Sequence, residues 1–421
     1  MLLGVMWPGS SFRLGYLCGF VAFLFSLSWL LCIPFPAGAA AGWVGLSAYL
    51  ALYPAGWAWF CQRLLRGWSG PGRRGPAEGE IETSSAWEQL QEGSWARRSL
   101  WALVIAAGWV TWELAVSRML SGFPWLPLGV TQYRLVPLIQ VASVTGVYGV
   151  SFLVAWFSVS LAMAAWRLAR KPEDRWSWLP ELGMPLLAVL VVIVVGYGRI
   201  GRMEPARDAL SLALVQPSIP QELIWDEQED EQRFEQLMEL SRSALAVRPR
   251  LLVWPEAALP AFTRANYDAI TNLIAEHKVW MVFGADDAEV RRTAAGEESY
   301  DSFNAAFLFG PDGGYRTRYR KQRLVIFGEY VPWADWLPFL KHLTPITGSF
   351  KSGTGPAPFR LTEPEVDLGV LICFEDVFPH GAREHVSDRT DFLLNLTNNG
   401  WFGESAAQWQ QIGRASCRER V

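Results

Sequence analysis

The stretch GVLICFED, residues 369–376, decides how the second half of the chain is interpreted. A short apolar run ends at Cys373 and acidic residues follow at once, which predicts a buried strand with polar side chains at its carboxyl end. A Cys at such a position is more often buried and inert than nucleophilic. Its role therefore depends on the groups that the rest of the chain supplies.

Two other segments supply the groups that a reactive thiol needs. In LVWPE, residues 252–256, the proline ends a strand because it has no N–H to donate, and Glu256 follows it. In YRKQRLVIFGEY, residues 319–330, another strand end offers Lys321 and a second carboxylate, Glu329. A thiol becomes a nucleophile when a base takes its proton and a cation favours the anion. We therefore predict a thiol acyl-transfer site built from Glu256, Lys321 and Cys373.

Each of these residues also has an ordinary explanation when it is taken alone. A single Glu after a strand is usually a solvated loop end, and a Lys in a basic stretch is usually a surface residue. The combination of the three favours the site. A Cys–His pair is the commoner way to activate a thiol, but the four His residues lie in no recurring catalytic context; they are His277, His342, His380 and His385.

From residue 209 onwards, short apolar runs alternate with helical patterns, which is typical of an α/β layered domain. The predicted strands cover residues 209–215, 251–254, 279–284, 305–310, 367–373 and 391–396, and the predicted helices cover 227–247 and 269–277. The segment 310–314 predicts a hairpin turn and lacks the Lys of a phosphate-binding loop.

The first 200 residues predict a helical membrane domain. Hydrophobic residues make up 51% of the chain and charged residues only 19%, with 23 Trp, which favours a membrane region followed by one soluble domain. Most of the long apolar runs approach the roughly 20 residues that cross a bilayer. About five spans are expected, at residues 12–33, 38–60, 100–116, 147–166 and 184–197.

The loops between the predicted spans indicate the orientation. Residues 61–98 and 167–175 are rich in Arg and Lys, and basic loops stay in the cytoplasm. With five spans and a cytoplasmic start, everything after about residue 200 lies outside, which in a Gram-negative cell is the periplasm. We therefore expect a multi-pass protein of the bacterial inner membrane whose catalytic domain, residues 209–411, is periplasmic.

Two features of the membrane half could take part in function. The aromatic segment SGFPWLP, residues 121–127, predicts either an ordinary interfacial turn or a periplasmic arm, near residues 121–131, that lies on the bilayer. Glu113 lies in an apolar segment, where a carboxylate is costly and tends to be kept for use. It could equally lie at the end of a span and be solvated.

Composition excludes several classes of protein. The net charge of −4 gives no polybasic surface, so nucleic acid is not an expected partner. The five Cys residues show no CxxC pair or metal-ligand spacing, so neither a metal, a cofactor nor a disulfide framework is predicted. These residues are Cys18, Cys32, Cys61, Cys373 and Cys417.

At its motifs the chain resembles the nitrilase superfamily, and most closely its membrane branch, the apolipoprotein N-acyltransferases. The matching stretches are SGFPWLPL (121–128), VQPSIPQ (215–221), VWPE (253–256), YRKQRLVIFGEYVP (319–332), LICFED (371–376) and NLTNNGWFGES (395–405). The resemblance extends over nearly the whole chain to about residue 410. It implies a polytopic helical membrane domain followed by a four-layer αββα sandwich.

The resemblance also implies a role for particular residues. Glu256 would be the general base, Lys321 the stabiliser of the oxyanion and Cys373 the nucleophile. Three further residues would support them: Glu329 as a second carboxylate near the triad, Glu375 beside the nucleophile, and Trp225 as a loop residue near the site. Phe374 departs from the family, which commonly has Tyr there, and this removes a hydroxyl beside the nucleophile without changing the triad.

The implied reaction has two steps. Cys373 takes an acyl chain from a phospholipid, typically phosphatidylethanolamine, and forms a thioester. The amino group of the diacylglyceryl-cysteine at the N-terminus of an apolipoprotein then accepts the chain. Both substrates lie in the membrane, so anchoring the enzyme there replaces a three-dimensional search by lateral encounter. We expect the protein to act as a monomer and without a cofactor.

Both ends of the chain differ from the family pattern. The chain begins almost directly on the first matching apolar run, and the match stops near residue 411. Residues 412–421 resemble a translated sequencing adapter, so we expect them to be non-native and the catalytic domain to be incomplete.

Two other functions remain open on the residues. A membrane-tethered amidase or nitrile hydrolase would use water instead of an amine, but it needs neither the spans nor the aromatic segment. A transporter or receptor with an outer binding domain would need polar pairs within the membrane, and the predicted spans contain few charged residues.

Overall fold

The computed structural model describes residues 10–68, 86–170, 176–202, 210–224, 226–292, 298–333, 336 and 349–416. Contacts divide the chain into two compact units. The helical unit comprises Met1–Ser28, Gly42–Glu204 and Gln408–Val421, and the α/β unit comprises Trp29–Ala41 and Pro205–Ala407.

Helices make up the N-terminal half of the described chain. They are α1 (Ser11–Ser26), α2 (Pro36–Trp68), α3 (Ala86–Glu92), α4 (Trp95–Val116), α5 (Val136–Ile139), α6 (Ala142–Thr145), α7 (Val147–Arg170) and α8 (Leu179–Ile200). The core of the helical unit contains large aromatic side chains, such as Trp101 and Trp156, packed against small ones such as Ala102. Small residues let helices approach closely in a membrane. At Gly19 a Cβ atom would lie only 2.4 Å from Pro54 Cγ, so this contact between α1 and α2 requires glycine.

Three of the five predicted spans form helices that are long and apolar enough to cross a membrane. Within the described parts of the chain these are α4, α7 and α8, with 22, 24 and 22 residues. The other two predicted spans are also helical, but α1 is shorter, with 16 residues, and α2 is longer, with 33. About 20 apolar residues are needed to cross the hydrocarbon core. By length and composition, the structure therefore supports three of the five predicted spans.

The aromatic segment after α4 packs within the helical unit. Trp125 is 4% exposed, and its Nε1 donates to Gln410 Oε1 at 2.9 Å. The chain turns sharply at the start of this segment, where Leu120, Ser121 and Gly122 all have positive φ. The indole of Trp125 is therefore packed against protein, and the arm on the bilayer stays a prediction.

Two sheets form the α/β unit. The first has the order β1 (Leu212–Leu214), β2 (Leu251–Val253), β3 (Trp280–Arg292), β4 (Glu298–Phe309) and β5 (Tyr315–Arg320), and the second has the order β6 (Phe359–Thr362), β7 (Glu365–Ile372) and β8 (Phe392–Leu396). Strands β1, β2 and β3 are parallel, β3, β4 and β5 are antiparallel, β6 is antiparallel to β7, and β7 is parallel to β8. All six predicted strands are present, and so is the predicted turn at 310–314, where Gly310 N–H donates to the Gly314 carbonyl.

The first sheet buries both of its faces, because successive side chains of a strand point to opposite sides. On one face Leu252 and Phe283 pack with helices α9 (Asp230–Leu245) and α10 (Arg264–His277). On the other face Val253 packs with residues of the second sheet, such as Val370. A helical layer and two sheet layers are therefore stacked in order. On the second sheet, the segment after α11 (Pro379–Glu384) approaches β7, since a Cβ at Gly369 would lie 2.6 Å from the His385 carbonyl oxygen.

The C-terminal helix α12 runs from Ala406 to Ser416. It includes residues 412–416 of the segment that the sequence marked as non-native, and Arg414 within it is 1% exposed. Cys417 and the residues after it lie outside the described part of the chain.

Candidate active site

Cys373 lies where β7 ends and a short 3-10 helix, Cys373–Val377, begins. Its φ angle is +57°, a left-handed conformation that is uncommon for residues other than glycine. Residues held in this way are frequent at functional sites. Asn395 of β8 holds the turn, because its Nδ2 donates to the Cys373 carbonyl at 3.0 Å. The predicted nucleophile is thus fixed by the backbone of one strand and a side chain of the next.

Glu256 follows β2, where the sequence predicted it, and is 8% exposed. Its Oε1 accepts from Lys321 Nζ at 3.1 Å and its Oε2 accepts from the Asn398 N–H at 3.0 Å. The two oxygens are therefore held by elements that are distant in sequence. Such a carboxylate keeps a fixed orientation, which a general base requires.

Lys321 directly follows β5 and is 1% exposed. Its Nζ donates to Glu256 Oε1 and, at 2.9 Å, to Glu329 Oε1. A buried ammonium is costly unless it is paired and hydrogen-bonded. Here two carboxylates flank it, so the structure brings together Glu256, Lys321 and Glu329, as the sequence led us to expect.

Asn304 is a member of this group that the sequence did not reveal. It lies on β4, and its Nδ2 donates at 2.8 Å to Glu256 Oε1 and at 2.8 Å to Glu329 Oε1. Two carboxylates that share a site repel each other unless donors lie between them. Asn304 and Lys321 are these donors. A polar residue within a predicted strand was the available signal, but the predicted strand began at 305, one residue too late.

The electrostatics of the thiol follow from this arrangement. Burial, followed by the charge of Glu256, raises the pKa of the Cys373 thiol, whereas Lys321 lowers it and Glu329 raises it. For Lys321, burial alone lowers the pKa, but the charges of Glu256, Cys373 and Glu329 outweigh it and the pKa is raised well above its usual value. At neutral pH the site therefore holds a charged ammonium and a protonated thiol, and nucleophilic attack needs a base to take the thiol proton.

Glu375 has a different place from the other carboxylates. It is 3% exposed and accepts from backbone N–H groups of Ile372 and Gln322, at 2.9 and 2.8 Å, and of Arg323 at 3.0 Å. Burial raises its pKa, while these N–H donors and Lys321 oppose that rise. The carboxylate thus joins the turn that carries the thiol to the segment that carries Lys321.

The two remaining predicted residues are aromatic. The ring of Phe374 lies 5.6 Å from Lys321 Nζ and makes an edge contact with Phe378 at 5.3 Å. Phe374 therefore covers the ammonium with an apolar face, and it brings no hydroxyl to the thiol. Trp225 lies outside the described residues.

These observations define a class of protein. A stacked two-sheet α/β unit that holds a Cys, a Lys and a Glu at strand ends, with a second Glu in a turn, is the architecture of a carbon-nitrogen hydrolase, and the profile of that family matches residues 211–417. The profile described as the apolipoprotein N-acyltransferase N-terminal domain matches residues 2–160. Helices of spanning length precede the α/β unit, as this combination requires.

Comparison with whole proteins identifies the family. The chain is 34% identical to the apolipoprotein N-acyltransferase of Geobacter metallireducens, over 96% of this chain and 72% of that protein. It is 30% identical to the apolipoprotein N-acyltransferase of Methylococcus capsulatus, over 98% of this chain and 74% of that protein. The chain belongs to the apolipoprotein N-acyltransferase family. It is accordingly an acyltransferase of the carbon-nitrogen hydrolase superfamily and a bacterial membrane protein.

The chain is also similar to a solved structure of the amidase from Nesterenkonia sp. AN1. The identity is 14%, the alignment covers 45% of this chain and 67% of the amidase, and the TM-score is 0.33.

Proposed function

We propose that this protein transfers an acyl chain from a phospholipid, through a thioester on Cys373, to the amino terminus of diacylglyceryl-cysteine in apolipoproteins. In the first half-reaction Glu256 takes the thiol proton, and the sulfur attacks the ester carbonyl carbon of the phospholipid. Lys321 stabilises the oxyanion, and the lysophospholipid leaves with the proton that Glu256 held. In the second half-reaction the amine attacks the thioester and Cys373 leaves as the thiol.

The raised pKa of the Cys373 thiol, beside a fixed Glu256 and a charged Lys321, carries this proposal. A thiol that is protonated at neutral pH cannot attack an ester unaided, so the base is needed in the same step. Lys321 lies between two carboxylates and keeps its charge, so it can stabilise an oxyanion without first gaining a proton. Family membership supports acyl transfer as the reaction.

Phosphatidylethanolamine is the donor that the family resemblance favours, and a diacylated apolipoprotein is the acceptor. The protein would act as a monomer in the bacterial inner membrane, with residues 1–200 as a multi-pass domain and residues 209–411 as a periplasmic catalytic domain. Basic residues after α2 and after α7 support this orientation, because loops rich in Arg and Lys remain in the cytoplasm. A hydrolase that uses water as acceptor is the alternative.

The experiment uses the chain in detergent micelles with phosphatidylethanolamine and a diacylated lipopeptide. Intact-protein mass spectrometry first measures the thioester, and a second measurement follows the lipopeptide as it gains one acyl chain. Cys373→Ala is expected to abolish both signals. Cys18→Ala, at an exposed thiol in α1, is the matched control and is expected to keep both. An unchanged signal in Cys373→Ala would remove Cys373 as the nucleophile, and acyl release to water alone would favour the hydrolase.

A further inference from the structure

A fourth carboxylate, Asp286, lies on the same face of the first sheet as the reactive groups. Asp286 of β3 is directly opposite Asn304 of β4. Cross-strand partners of an antiparallel pair project to the same face, and the Asn304 side chain donates to Glu256 and Glu329 on that face. The same face of β3 meets the Glu256 turn at Gly284, where a Cβ would lie 2.7 Å from Glu256 Cα.

The neighbouring residue Asp287 has different surroundings from Asp286. Its side chain projects to the opposite face, where it accepts from Arg318 at 2.8 Å and from Arg320 at 2.6 Å. Asp286 remains exposed to solvent, and within the described part of the chain it makes no ion pair. Two consecutive aspartates thus differ in surroundings. Asp287 belongs to the framework of the sheet, whereas Asp286 is a carboxylate without a cation at the rim of the site.

The charges around Asp286 favour a cationic ligand. Asp286 keeps a solvent-exposed surface, but the protein around its carboxyl group partly desolvates that group. This desolvation, followed by the charges of Glu329 and Glu256, raises the pKa of Asp286 to about 6. Lys321 is already paired with those two glutamates, so three carboxylates face one ammonium. The nearby cationic residue Lys351 is attached to β4 by its backbone, because its N–H donates to the Ser302 carbonyl. Its side chain is exposed. Excess negative charge in a partly desolvated site attracts a cation.

We propose that Asp286 binds the primary ammonium group of a substrate, and that this group is the amino terminus of the acceptor. The proposal rests on the proposed function, which requires an amine to reach the thioester. Phosphatidylethanolamine also carries a primary ammonium, but its glycerol and phosphate separate that group from the ester carbonyl. The acceptor amine has to lie next to the reacting sulfur, and Asp286 shares a face with the residues that surround that sulfur.

The second half-reaction then has a full proton balance. The acceptor ammonium gives one proton to the Asp286 carboxylate and becomes a neutral amine. Its nitrogen lone pair attacks the thioester carbonyl, the C–S bond breaks, and an amide forms. The second proton of the nitrogen passes through Glu256 to the departing sulfur of Cys373. An α-amino group has an ordinary pKa of about 7.7–8.0, so a carboxylate that titrates near 6 can exchange a proton with it.

Asp286→Asn and Asp287→Asn form the matched pair that tests this assignment. The thioester is formed first with phosphatidylethanolamine or with phosphatidylglycerol, which has no ammonium, and the acylation rate is measured for each. A diacylated lipopeptide is then added, and its acylation rate and KM are measured from pH 5 to pH 8. Wild-type transfer is expected to weaken below about pH 6, where Asp286 becomes neutral.

In Asp286→Asn we expect transfer to fall about 10-fold or more relative to acylation, with a higher KM for the lipopeptide and no such weakening near pH 6. In Asp287→Asn the ratio of transfer to acylation and the pH profile are expected to follow the wild type. Equal ratios in the two variants would overturn the proposal. A defect confined to acylation by phosphatidylethanolamine would assign the ammonium to the donor and overturn the acceptor assignment. Failure of the wild type to form a thioester would instead refute the proposed function.

Discussion

The Tyr319 hydroxyl donates to Glu375 and lies 2.9 Å from both of its carboxylate oxygens. Tyr319 is the penultimate residue of β5 and precedes Lys321 by two positions, while Glu375 follows Cys373 by two positions. Together with the backbone N–H groups of Gln322 and Arg323, the Tyr319 hydroxyl therefore joins the segment that presents the ammonium to the turn that presents the thiol. Both side chains are buried, so water does not compete for the bond. The bond therefore adds a restraint to the turn that carries Cys373.

Tyr319→Phe is expected to lower the free energy of unfolding by about 1–3 kcal/mol, because it leaves a buried carboxylate short of one donor. It is also expected to slow thioester formation, since the turn that carries Cys373 loses a restraint. Thermal unfolding and the acylation rate measure the two effects. Tyr315→Phe is the control, because Tyr315 lies on the same strand and is 48% exposed. Identical unfolding temperatures for the two variants would contradict the structural role of the bond.

The sequence predicted the ends of the strands that carry Glu256 and Cys373 because apolar runs of buried strands stop there. It also placed Lys321 at a strand end, but it gave no range for that strand, β5, whose residues Tyr315–Arg320 are mostly polar. Its arginines Arg318 and Arg320 pair with Asp287 of β3. Without knowledge of that partner strand, such a polar sequence looks like a surface loop. Lys321 was recognised from its motif, and its burial became apparent only from the pairing of β4 with β5.

A similar limit explains why Asn304 and Asp286 were missed. Strand β4 was predicted from its apolar half alone, whereas its polar half begins at Glu298. Asn304 and Asp286 lie opposite each other on paired strands. Their proximity depends on the register of the two strands, and the sequence of neither strand alone shows that register. In the helical half, composition predicted the spans of α4, α7 and α8. The packing of Trp125 depends on a contact with Gln410, 285 positions away.

Glu329→Gln is expected to make the Cys373 thiol more acidic, because the charge of Glu329 raises its pKa and Gln carries none. Each unit of pKa changes the thiolate fraction about 10-fold below the pKa. Alkylation of Cys373 by iodoacetamide, followed by peptide mass spectrometry from pH 7 to pH 9, is expected to accelerate. Glu298→Gln, at the exposed start of β4, should leave the rate unchanged. Slower alkylation in Glu329→Gln would show that the carboxylate acts on the thiol in some other way.

A buried ion pair supports the helical unit. Arg98 of α4 and Glu181 of α8 approach to 2.5 Å, with side-chain exposures of 5% and 2%. Glu181→Ala is expected to destabilise the unit by about 3–5 kcal/mol, because it leaves a buried guanidinium without its counter-ion. Replacing both residues, as Arg98→Met with Glu181→Leu, is expected to restore most of the loss. Thermal unfolding in detergent compares these variants with Glu88→Ala, at an exposed position of α3. A double variant no more stable than Glu181→Ala would contradict the pairing.

The two consecutive aspartates of β3 predict stability changes of opposite sign. The folded-state pKa of Asp286, about 6, lies above the ordinary value of about 3.9 for an unfolded chain. The folded protein therefore binds more protons between these values, and ionisation of Asp286 lowers stability as the pH rises through that window. This loss of stability is absent below about pH 4, grows as the pH rises, and is complete above about pH 6. Asp286→Asn removes it, so this variant is expected to unfold at a higher temperature than the wild type at pH 7.5. Because Asp286 is exposed, solvent screening limits the gain.

Asp287→Asn is expected to act in the opposite direction at pH 7.5, because it weakens the ion pairs with Arg318 and Arg320. Thermal unfolding at pH 7.5 and at pH 4 separates the two effects. The difference between Asp286→Asn and the wild type should shrink at the lower pH, where Asp286 is protonated in the folded protein and about half protonated in the unfolded protein. A stabilisation of Asp286→Asn that is the same at both pH values would show that packing, and not charge, explains it. A lower unfolding temperature for Asp286→Asn at pH 7.5 would mean that its carboxylate has a stabilising partner, which would also remove the basis for assigning it to a substrate ammonium.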